Sequence, residues 1–367
     1  MKNDIRIIFA GGGTGGHLFP AIYIARYLKK HWGANCMFIG TKKGIENRKV
    51  PQAGFVLKHI WISGFHRRFD VRNILFPLKL LLSLRKTKKE IRAFKPDIVI
   101  GTGGYVSGPV LYQAVKMNIP TLIQEQNSYP GVTTRFLASK VNHLIVAYKE
   151  SIKYLDGVTN YSVIGNPVRN NMAYVDKIIA SQFFGLKRNI QTILIFGGSQ
   201  GARNLNSAVD SLINEGVFEK TQLIWQTGEN EFSKYNSKYK NENKKNIHIY
   251  PFIDKMEYAY TVSNYAICRA GAMTISELAA AGLPAILVPF PGAAANHQFK
   301  NAKTLADKGA AILIEDNNEL TDKLSAAIIS LKSNKILLKD MKKKLKQFHT
   351  ADATKQIAEK IKGLLEK

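Results

Sequence analysis

The chain has 367 residues, 45% of them hydrophobic and 10% aromatic, which excludes a disordered chain and suffices for a large core shared by two domains. Its 53 Lys and Arg against 27 Asp and Glu give a formal charge of +26, so nucleic acid, an anionic membrane face and a phosphorylated substrate all stand as partner classes, beside a plain lysine-rich surface. Its two cysteines, Cys36 and Cys268, make neither a disulfide framework nor a metal site.

Met1-Lys2-Asn3-Asp4-Ile5-Arg6 leads into a β-type run, Arg6-Ile7-Ile8-Phe9, without a signal-type apolar region. No stretch is long and apolar enough to cross a bilayer. Both features point to the cytoplasm. The turn Gly11-Gly12-Gly13-Thr14-Gly15-Gly16-His17 follows, and a helix is expected over 20–30. A strand, a glycine turn and a helix aim bare backbone N–H groups at one point, which suits an anion. Gly11, Gly13 and Gly16 also satisfy G-x-G-x-x-G, the dinucleotide fingerprint. That reading needs an acidic residue at the end of the next strand, and Asn35-Cys36-Met37-Phe38-Ile39-Gly40 ends in Thr41-Lys42-Lys43 with no carboxylate before Glu46. NAD is thereby disfavoured, while lysines could still meet the 2′-phosphate of NADP.

A strand is expected over 56–62. Gly64-Phe65-His66-Arg67-Arg68-Phe69 then precedes an apolar run over 74–84, with Arg85-Lys86-Thr87-Lys88-Lys89 behind it. Cations on both flanks of a short leucine-rich segment suit the headgroup layer of an anionic leaflet. Periodicity fits a core helix with an exposed lysine-rich end equally well. Pro96-Asp97-Ile98-Val99-Ile100-Gly101 and Pro120-Thr121-Leu122-Ile123-Gln124-Glu125-Gln126-Asn127 read as buried strands. Between them lie a second glycine loop over 101–109 and a helix over 110–115. This β-glycine-α rhythm predicts a doubly wound parallel sheet.

Val163-Ile164-Gly165-Asn166-Pro167-Val168-Arg169 marks the joint, where Pro167 holds Asn166 extended. The rhythm restarts with the strand Thr192-Ile193-Leu194-Ile195-Phe196, the turn Gly197-Gly198-Ser199-Gln200-Gly201 and a helix over 204–213. Further strands are expected over 223–228, 248–253, 265–268 and 283–289. Arg269-Ala270-Gly271-Ala272-Met273-Thr274 turns into a helix carrying Glu277, and a loop over 290–298 ends at Gln298. A lysine-rich helix over 337–348 precedes an amphipathic one with Ile357, Ile361, Leu364 and Leu365 on one face, which could dock back on the first domain.

Two glycine turns in the second half can direct N–H groups at phosphates, with Ser199 as a hydroxyl donor and Arg169 as a cation. Glu277 can accept both hydroxyls of a ribose or only complement its helix dipole. No Asp-x-Asp occurs, so no carboxylate pair offers itself to a divalent ion. A departing diphosphate is expected to rest on helix N-termini and cations, without metal or other cofactor. His17 is the leading general base by position and titration range; it could instead bond the loop or cap the helix. Glu125 is the second candidate, or an orienting residue.

These segments together resemble the N-acetylglucosaminyltransferases of peptidoglycan synthesis. The resemblance rests on Gly12-Gly13-Thr14-Gly15-Gly16-His17, Gly103-Gly104-Tyr105-Val106-Ser107-Gly108-Pro109, Glu125-Gln126-Asn127, Gly165-Asn166-Pro167-Val168-Arg169, Gly197-Gly198-Ser199-Gln200-Gly201-Ala202 and Arg269-Ala270-Gly271-Ala272-Met273-Thr274-Ile275-Ser276-Glu277. It implies a GT-B fold, two Rossmann-like domains with a cleft between them. Residues 1–165, with the terminal helix 350–367, would form the acceptor and membrane side, and residues 166–349 the UDP-GlcNAc side. It implies an inverting, metal-independent transfer of GlcNAc from UDP-GlcNAc to the MurNAc 4-hydroxyl of undecaprenyl-diphosphate-MurNAc-pentapeptide, the lipid I to lipid II step. Donor contacts would fall on Thr14, Gly15, Gly16, Asn127, Arg169, Ser199, Ile253, Ala272, Met273, Thr274, Ile275, Ser276, Glu277 and Gln298. Ile253 would meet uracil through its backbone, Glu277 the ribose, and Asn127 and Gln298 the GlcNAc hydroxyls. His17 would be the base.

The resemblance also favours the membrane reading of Leu75, Phe76, Leu78, Leu81, Leu82, Arg85 and Lys86. It places the enzyme peripherally on the cytoplasmic face of the inner membrane, among other cell-wall synthesis and division proteins and without nucleic acid. A lipid glycosyltransferase acting on diacylglycerol and an NADP-dependent oxidoreductase are the alternatives. Two positions depart from the family pattern. Gln124 stands where some members have histidine, so no essential base sits there, and Ala293-Ala294-Ala295 replaces a more polar run before Gln298.

Overall fold

The computed structural model describes residues 4–64, 74–169, 175–198, 202–242 and 244–366. The chain divides into two compact units, one of residues 1–168 with 350–367, the other of residues 169–349.

The first unit runs β1 (Arg6–Gly11), α1 (Gly15–Trp32), β2 (Asn35–Gly40), α2 (Glu46–Gln52), β3 (Val56–His59), α3 (Phe76–Phe94), β4 (Ile98–Gly103), α4 (Gly104–Lys116), β5 (Thr121–Glu125), α5 (Val132–Leu137), β6 (His143–Val146) and β7 (Tyr161–Val163). Its seven strands are parallel in the order β3-β2-β1-β4-β5-β6-β7. The apolar run of β1 follows from burial on both faces. Ile7 and Phe9 enter one core with Leu28 and Phe38, while Ile8 and Ala10 enter the other with Ile39, Val99 and Val110. This is the period-2 alternation of a strand between two helical layers.

The second unit runs α6 (Lys177–Phe183), β8 (Gln191–Phe196), α7 (Arg203–Asn214), β9 (Thr221–Gln226), α8 (Glu229–Asn241), β10 (Ile247–Tyr250), α9 (Met256–Val262), β11 (Tyr265–Cys268), α10 (Ala272–Ala281), β12 (Ala285–Leu287), α11 (His297–Ala306), β13 (Ile312–Leu313), α12 (Leu320–Ser333) and α13 (Lys335–Leu345). Its sheet is parallel in the order β10-β9-β8-β11-β12-β13. Leu194 and Phe196 face one core and Ile193 and Ile195 the other.

The terminal helix α14 (Ala353–Leu365) belongs to the first unit and packs on α1. Ile357 and Ile361 are fully buried beside Leu18, Ala21 and Leu28. Burial of each isoleucine contributes about 1.5–3 kcal/mol, enough to hold a short helix that would not persist alone.

Several boundaries differ from the sequence expectation. The first helix begins at Gly15 and not at residue 20, with Thr14 extended before it. The second glycine loop is mostly helix, because α4 starts at Gly104 and carries Pro109 inside it. Gly104 opens the helix at φ 77°, a left-handed conformation that favours glycine, and a Cβ there would collide with the Gly12 carbonyl oxygen. The strand expected over 56–62 stops at His59.

Candidate functional site

Each sheet has one place where the strand order reverses direction, and parallel sheets bind ligands outside the carboxyl ends of the strands there. In the first unit this point lies between β1 and β4, in the second between β8 and β11. Helices α1, α4, α7 and α10 start beside these two points, and none has an acidic residue in its first turn or a side chain capping its N-terminus. Their N-terminal partial charges are therefore not countered locally by carboxylates of the first turn.

His17 lies in the first turn of α1 and is half-buried. Its Nδ1 is 3.2 Å from the Thr102 carbonyl and 3.0 Å from Gln126 Oε1. Thr102 returns a hydroxyl bond of 2.7 Å to the His17 carbonyl. Gly103, at φ 100°, makes the close approach possible, because a Cβ there would stand 2.6 Å from His17 Nδ1. The imidazole is thus locked by the end of β4 and the residue after β5.

The neighbouring glycine loop holds an internal anion. Glu46 is 1% exposed, and its carboxylate accepts from the Gly13 N–H at 3.0 Å, the Thr41 N–H at 2.9 Å and the Thr41 hydroxyl at 2.8 Å. A Cβ at Gly12, Gly40 or Gly44 would stand within 2.7, 2.6 or 2.1 Å of Glu46 side-chain atoms. These glycines make room for one buried carboxylate, and hydrogen bonds to its charged form offset its desolvation. The Gly13 amide, which a dinucleotide pyrophosphate would need, is already engaged.

Glu125 is 2% exposed. One of its oxygens accepts from the Asn127 N–H and amide at 3.1 and 3.0 Å, the other from the Gly131 N–H and the Thr134 hydroxyl at 3.0 and 2.6 Å. A carboxylate engaged this fully anchors its neighbours and has little capacity left as a base. Its geometry is that of an orienting residue for Asn127.

In the second unit, Glu277 on α10 accepts from Arg169 Nε at 3.2 Å and from the Tyr260 hydroxyl at 3.0 Å. Arg169 also reaches Glu257 at 3.4 Å and the Asp254 carbonyl at 3.4 Å. Burial pushes the Glu277 carboxyl above the usual carboxylate range, with the Arg169 guanidinium and the Tyr260 hydroxyl pulling the other way. Arg169 and Glu277 are therefore already paired to each other. Of the rest of that helix start, Ile275 is fully buried and can offer only backbone to a ligand, and the Ser276 hydroxyl bonds back to the Ala272 carbonyl at 3.0 Å. Ala272 and Met273 are buried, and Thr274 is half-buried. The Ile253 N–H donates to Gln226 Oε1 at 2.8 Å, and the Gln226 amide donates to the Gly198 carbonyl at 3.0 Å. Gln298 Oε1 accepts from the Phe290 N–H at 3.0 Å. That residue borders a cavity of about 380 Å³ with Gly197, Asn204, Arg269, Phe290 and Asp316. Arg269 holds the cavity wall through the carbonyls of Val288 and Pro289 and an ion pair of 2.7 Å to Asp316. Ser199 and the basic stretch over 65–69 lie outside the described residues. Thr14 is exposed, and Gly15 and Gly16 are partly so.

Sequence reading missed Glu46, Gln226, Tyr260 and Asp316 and gave Gln126 no role. The polar ends of apolar strands, at Gln226 and at Gln124 through Asn127, were the available signal. Glu46 announces itself only by the glycines around it in space.

Helix α3 is inverted relative to a core helix. It buries Ser83, Thr87 and Ile91 and exposes Leu75, just before it, with Leu78, Leu81 and Leu82 at 39–48%. Arg85 and Lys86 are exposed beside these leucines. Phe76 departs from the expected membrane set, since it packs against the core cluster of Ile62 and Val110. Among the described residues, no helix is long and apolar enough to cross a membrane.

Comparison with known proteins adds the following. Residues 7–146 match the glycosyltransferase family 28 N-terminal domain and residues 192–357 its C-terminal domain. The chain is 40% identical to the UDP-N-acetylglucosamine–N-acetylmuramyl-(pentapeptide) pyrophosphoryl-undecaprenol N-acetylglucosamine transferase of Christiangramia forsetii, over 100% of this chain and 99% of that protein. It is 41% identical to the protein of the same name from Flavobacterium psychrophilum, with 98% of each covered. Among solved structures it is similar to Acinetobacter baumannii MurG, with a TM-score of 0.77, 29% identity and coverage of 98% and 99%. A UDP-glucose:anthocyanidin 3-O-glucosyltransferase in complex with UDP shares the fold, with a TM-score of 0.74 at 12% identity over the whole of both chains.

The upward displacement of Glu277 sets a pH signature if this carboxylate holds a ribose. UDP affinity, measured by titration calorimetry, falls on acidification at a higher pH than the ordinary glutamate value of 4.5, because only the ionised carboxyl accepts both hydroxyls. Glu277→Gln weakens UDP about tenfold at neutral pH and shows only the ligand's own phosphate titration.

Proposed function

The chain belongs to glycosyltransferase family 28, and from that premise we infer what it does. It is an N-acetylglucosaminyltransferase of peptidoglycan synthesis that moves GlcNAc from UDP-GlcNAc to the undecaprenyl-diphosphate-linked MurNAc-pentapeptide, turning lipid I into lipid II. Its likeness to transferases of that name along its full length carries the reading and leaves no ground for a diacylglycerol acceptor or an NADP-dependent oxidation.

The finer reading assigns roles to residues. The second unit takes the nucleotide: Glu277 the ribose hydroxyls, the Ile253 backbone the uracil, and Arg169, Ser199 and the start of α10 the diphosphate. The Ile253 N–H is taken by Gln226, so its carbonyl is the group left for the base. Asn127 and Gln298 take the sugar hydroxyls, and Thr14, Gly15 and Gly16 are further donor contacts. His17 Nε2 takes the proton of the MurNAc 4-hydroxyl as that oxygen bonds the anomeric carbon. The bond from this carbon to the diphosphate breaks, and UDP leaves with the electron pair. Attack opposite the leaving group inverts the anomeric centre and gives a β-1,4 link. Positive helix ends and Arg169 stabilise the leaving charge as it forms, so no divalent ion is required.

The exposed leucines of α3, with Arg85 and Lys86, face an anionic membrane, which holds the enzyme peripherally on the cytoplasmic leaflet where its lipid acceptor lies. Other cell-wall synthesis and division proteins are a further class of partner for the enzyme.

Incubation of UDP-[¹⁴C]GlcNAc with a short-chain lipid I analogue is expected to give labelled lipid II analogue at the same rate with and without EDTA. Label appearing only on diacylglycerol overturns the acceptor assignment, and loss of rate in EDTA overturns the metal-free leaving step. Vesicles containing anionic phospholipid are expected to retain the wild type, and Leu75, Leu78, Leu81 and Leu82 all changed to Ser to abolish retention while transfer to the soluble analogue persists. Undiminished retention removes the membrane role of α3.

A further inference from the structure

The side chains behind His17 form a closed ring of amides whose direction can be worked out. The Gln126 amide nitrogen lies 2.9 Å from the Thr102 carbonyl, 2.7 Å from the Gln124 carbonyl and 2.6 Å from Gln124 Oε1. The Gln124 amide donates to Asn166 Oδ1 at 2.8 Å, and the Asn166 amide donates to the Gln126 carbonyl at 3.1 Å. Gln124 is fully buried, Gln126 is 1% exposed and Asn166 5%. Turning Gln126 around would set its oxygen against three other oxygens among fully buried neighbours, at a cost of several kcal/mol. Its amide orientation is therefore fixed, and Oε1 must face His17.

His17 Nδ1 then confronts two acceptors, Gln126 Oε1 and the Thr102 carbonyl. Neither can donate, so Nδ1 must carry the hydrogen. In the neutral ring this leaves the lone pair on Nε2, which bonds no described residue. We propose that Gln126 is a positioning residue for the transfer reaction: with Gln124 and Asn166 behind it, it fixes His17 as the Nδ1–H tautomer and keeps Nε2 unprotonated and free to accept the acceptor hydroxyl's proton. The proposal rests on the reading of His17 as base. It also gives Gln124 a use: a residue that is no base itself holds, two positions away, the amide that selects the base's tautomer.

Long-range ¹H–¹⁵N NMR of the full chain labelled at its eight histidines reads the tautomer directly, with His17 assigned by the signal lost in His17→Gln. The wild type above the histidine titration range is expected to show Nδ1 protonated and Nε2 bare. Gln126→Met, which keeps the length and removes the acceptor, is expected to give a tautomer mixture and a kcat lower by about tenfold with donor KM unchanged. It also moves the acid limb of kcat to lower pH, because loss of an acceptor opposite Nδ1–H disfavours the imidazolium. An Nε2–H tautomer in the wild type overturns the proposal, and that spectrum decides it even if the variant fails to fold. An unmoved tautomer and acid limb in folded Gln126→Met overturn it equally. Near-normal kcat in His17→Gln with the wild-type tautomer as expected sinks the base assignment and leaves the amide ring's geometry standing.

Discussion

Polar groups buried at the carboxyl ends of parallel strands must find hydrogen-bond partners inside the protein, and that requirement organises both halves of this molecule. Strand ends and helix starts release N–H and C=O groups that no ladder or helix satisfies. In the first unit the Glu46 carboxylate collects the N–H groups of Gly13 and Thr41, and the Gln124, Gln126 and Asn166 amides collect the carbonyls. In the second, Gln226 joins the Gly198 carbonyl to the Ile253 N–H. The outcome in each unit is a strand-end platform held by hydrogen bonds within the protein.

The two platforms are satisfied differently, and this difference separates their tasks. The first glycine loop has an anion of its own, since Glu46 accepts from the Gly13 N–H. What it presents outward is an oriented imidazole and the exposed Thr14. The second platform pairs its charged side chains with one another, Arg169 reaching Glu277 and Glu257 at 3.2 and 3.4 Å. A nucleoside diphosphate can take both members of the Arg169–Glu277 pair at once, phosphate to the cation and ribose to the carboxylate. The pair then serves as the resting partner of each residue and keeps the buried carboxyl from standing uncompensated.

Much of this was legible in the chain because burial on both faces writes parallel strands as continuous apolar runs, as at Ile98-Val99-Ile100 and Ile193-Leu194-Ile195. The glycine turns after them were equally plain. Helix starts were not, because Gly15 and Gly104 read as breakers although each sits in a first turn, Gly104 there at φ 77°. Short strands such as His143–Val146 and Tyr161–Val163 lack a distinctive run. The partner of the first glycine loop was hidden for a different reason. Glu46 lies 33 residues beyond Gly13, and only folding shows that Gly12, Gly40 and Gly44 surround it. The leucines of α3 could be read as core or surface until Ser83 and Thr87 were seen to take the buried face.

The central claim is that the nucleotide belongs to the second platform and that the first glycine loop is filled from within. Hydrogen exchange of the full chain with saturating UDP, followed by mass spectrometry, tests it most directly. The account predicts slowed exchange across residues 269–277, with residues 9–13 and 41–46 exchanging as in the free protein. Protection confined to residues 9–13 and 41–46, with none at residues 269–277, would contradict it.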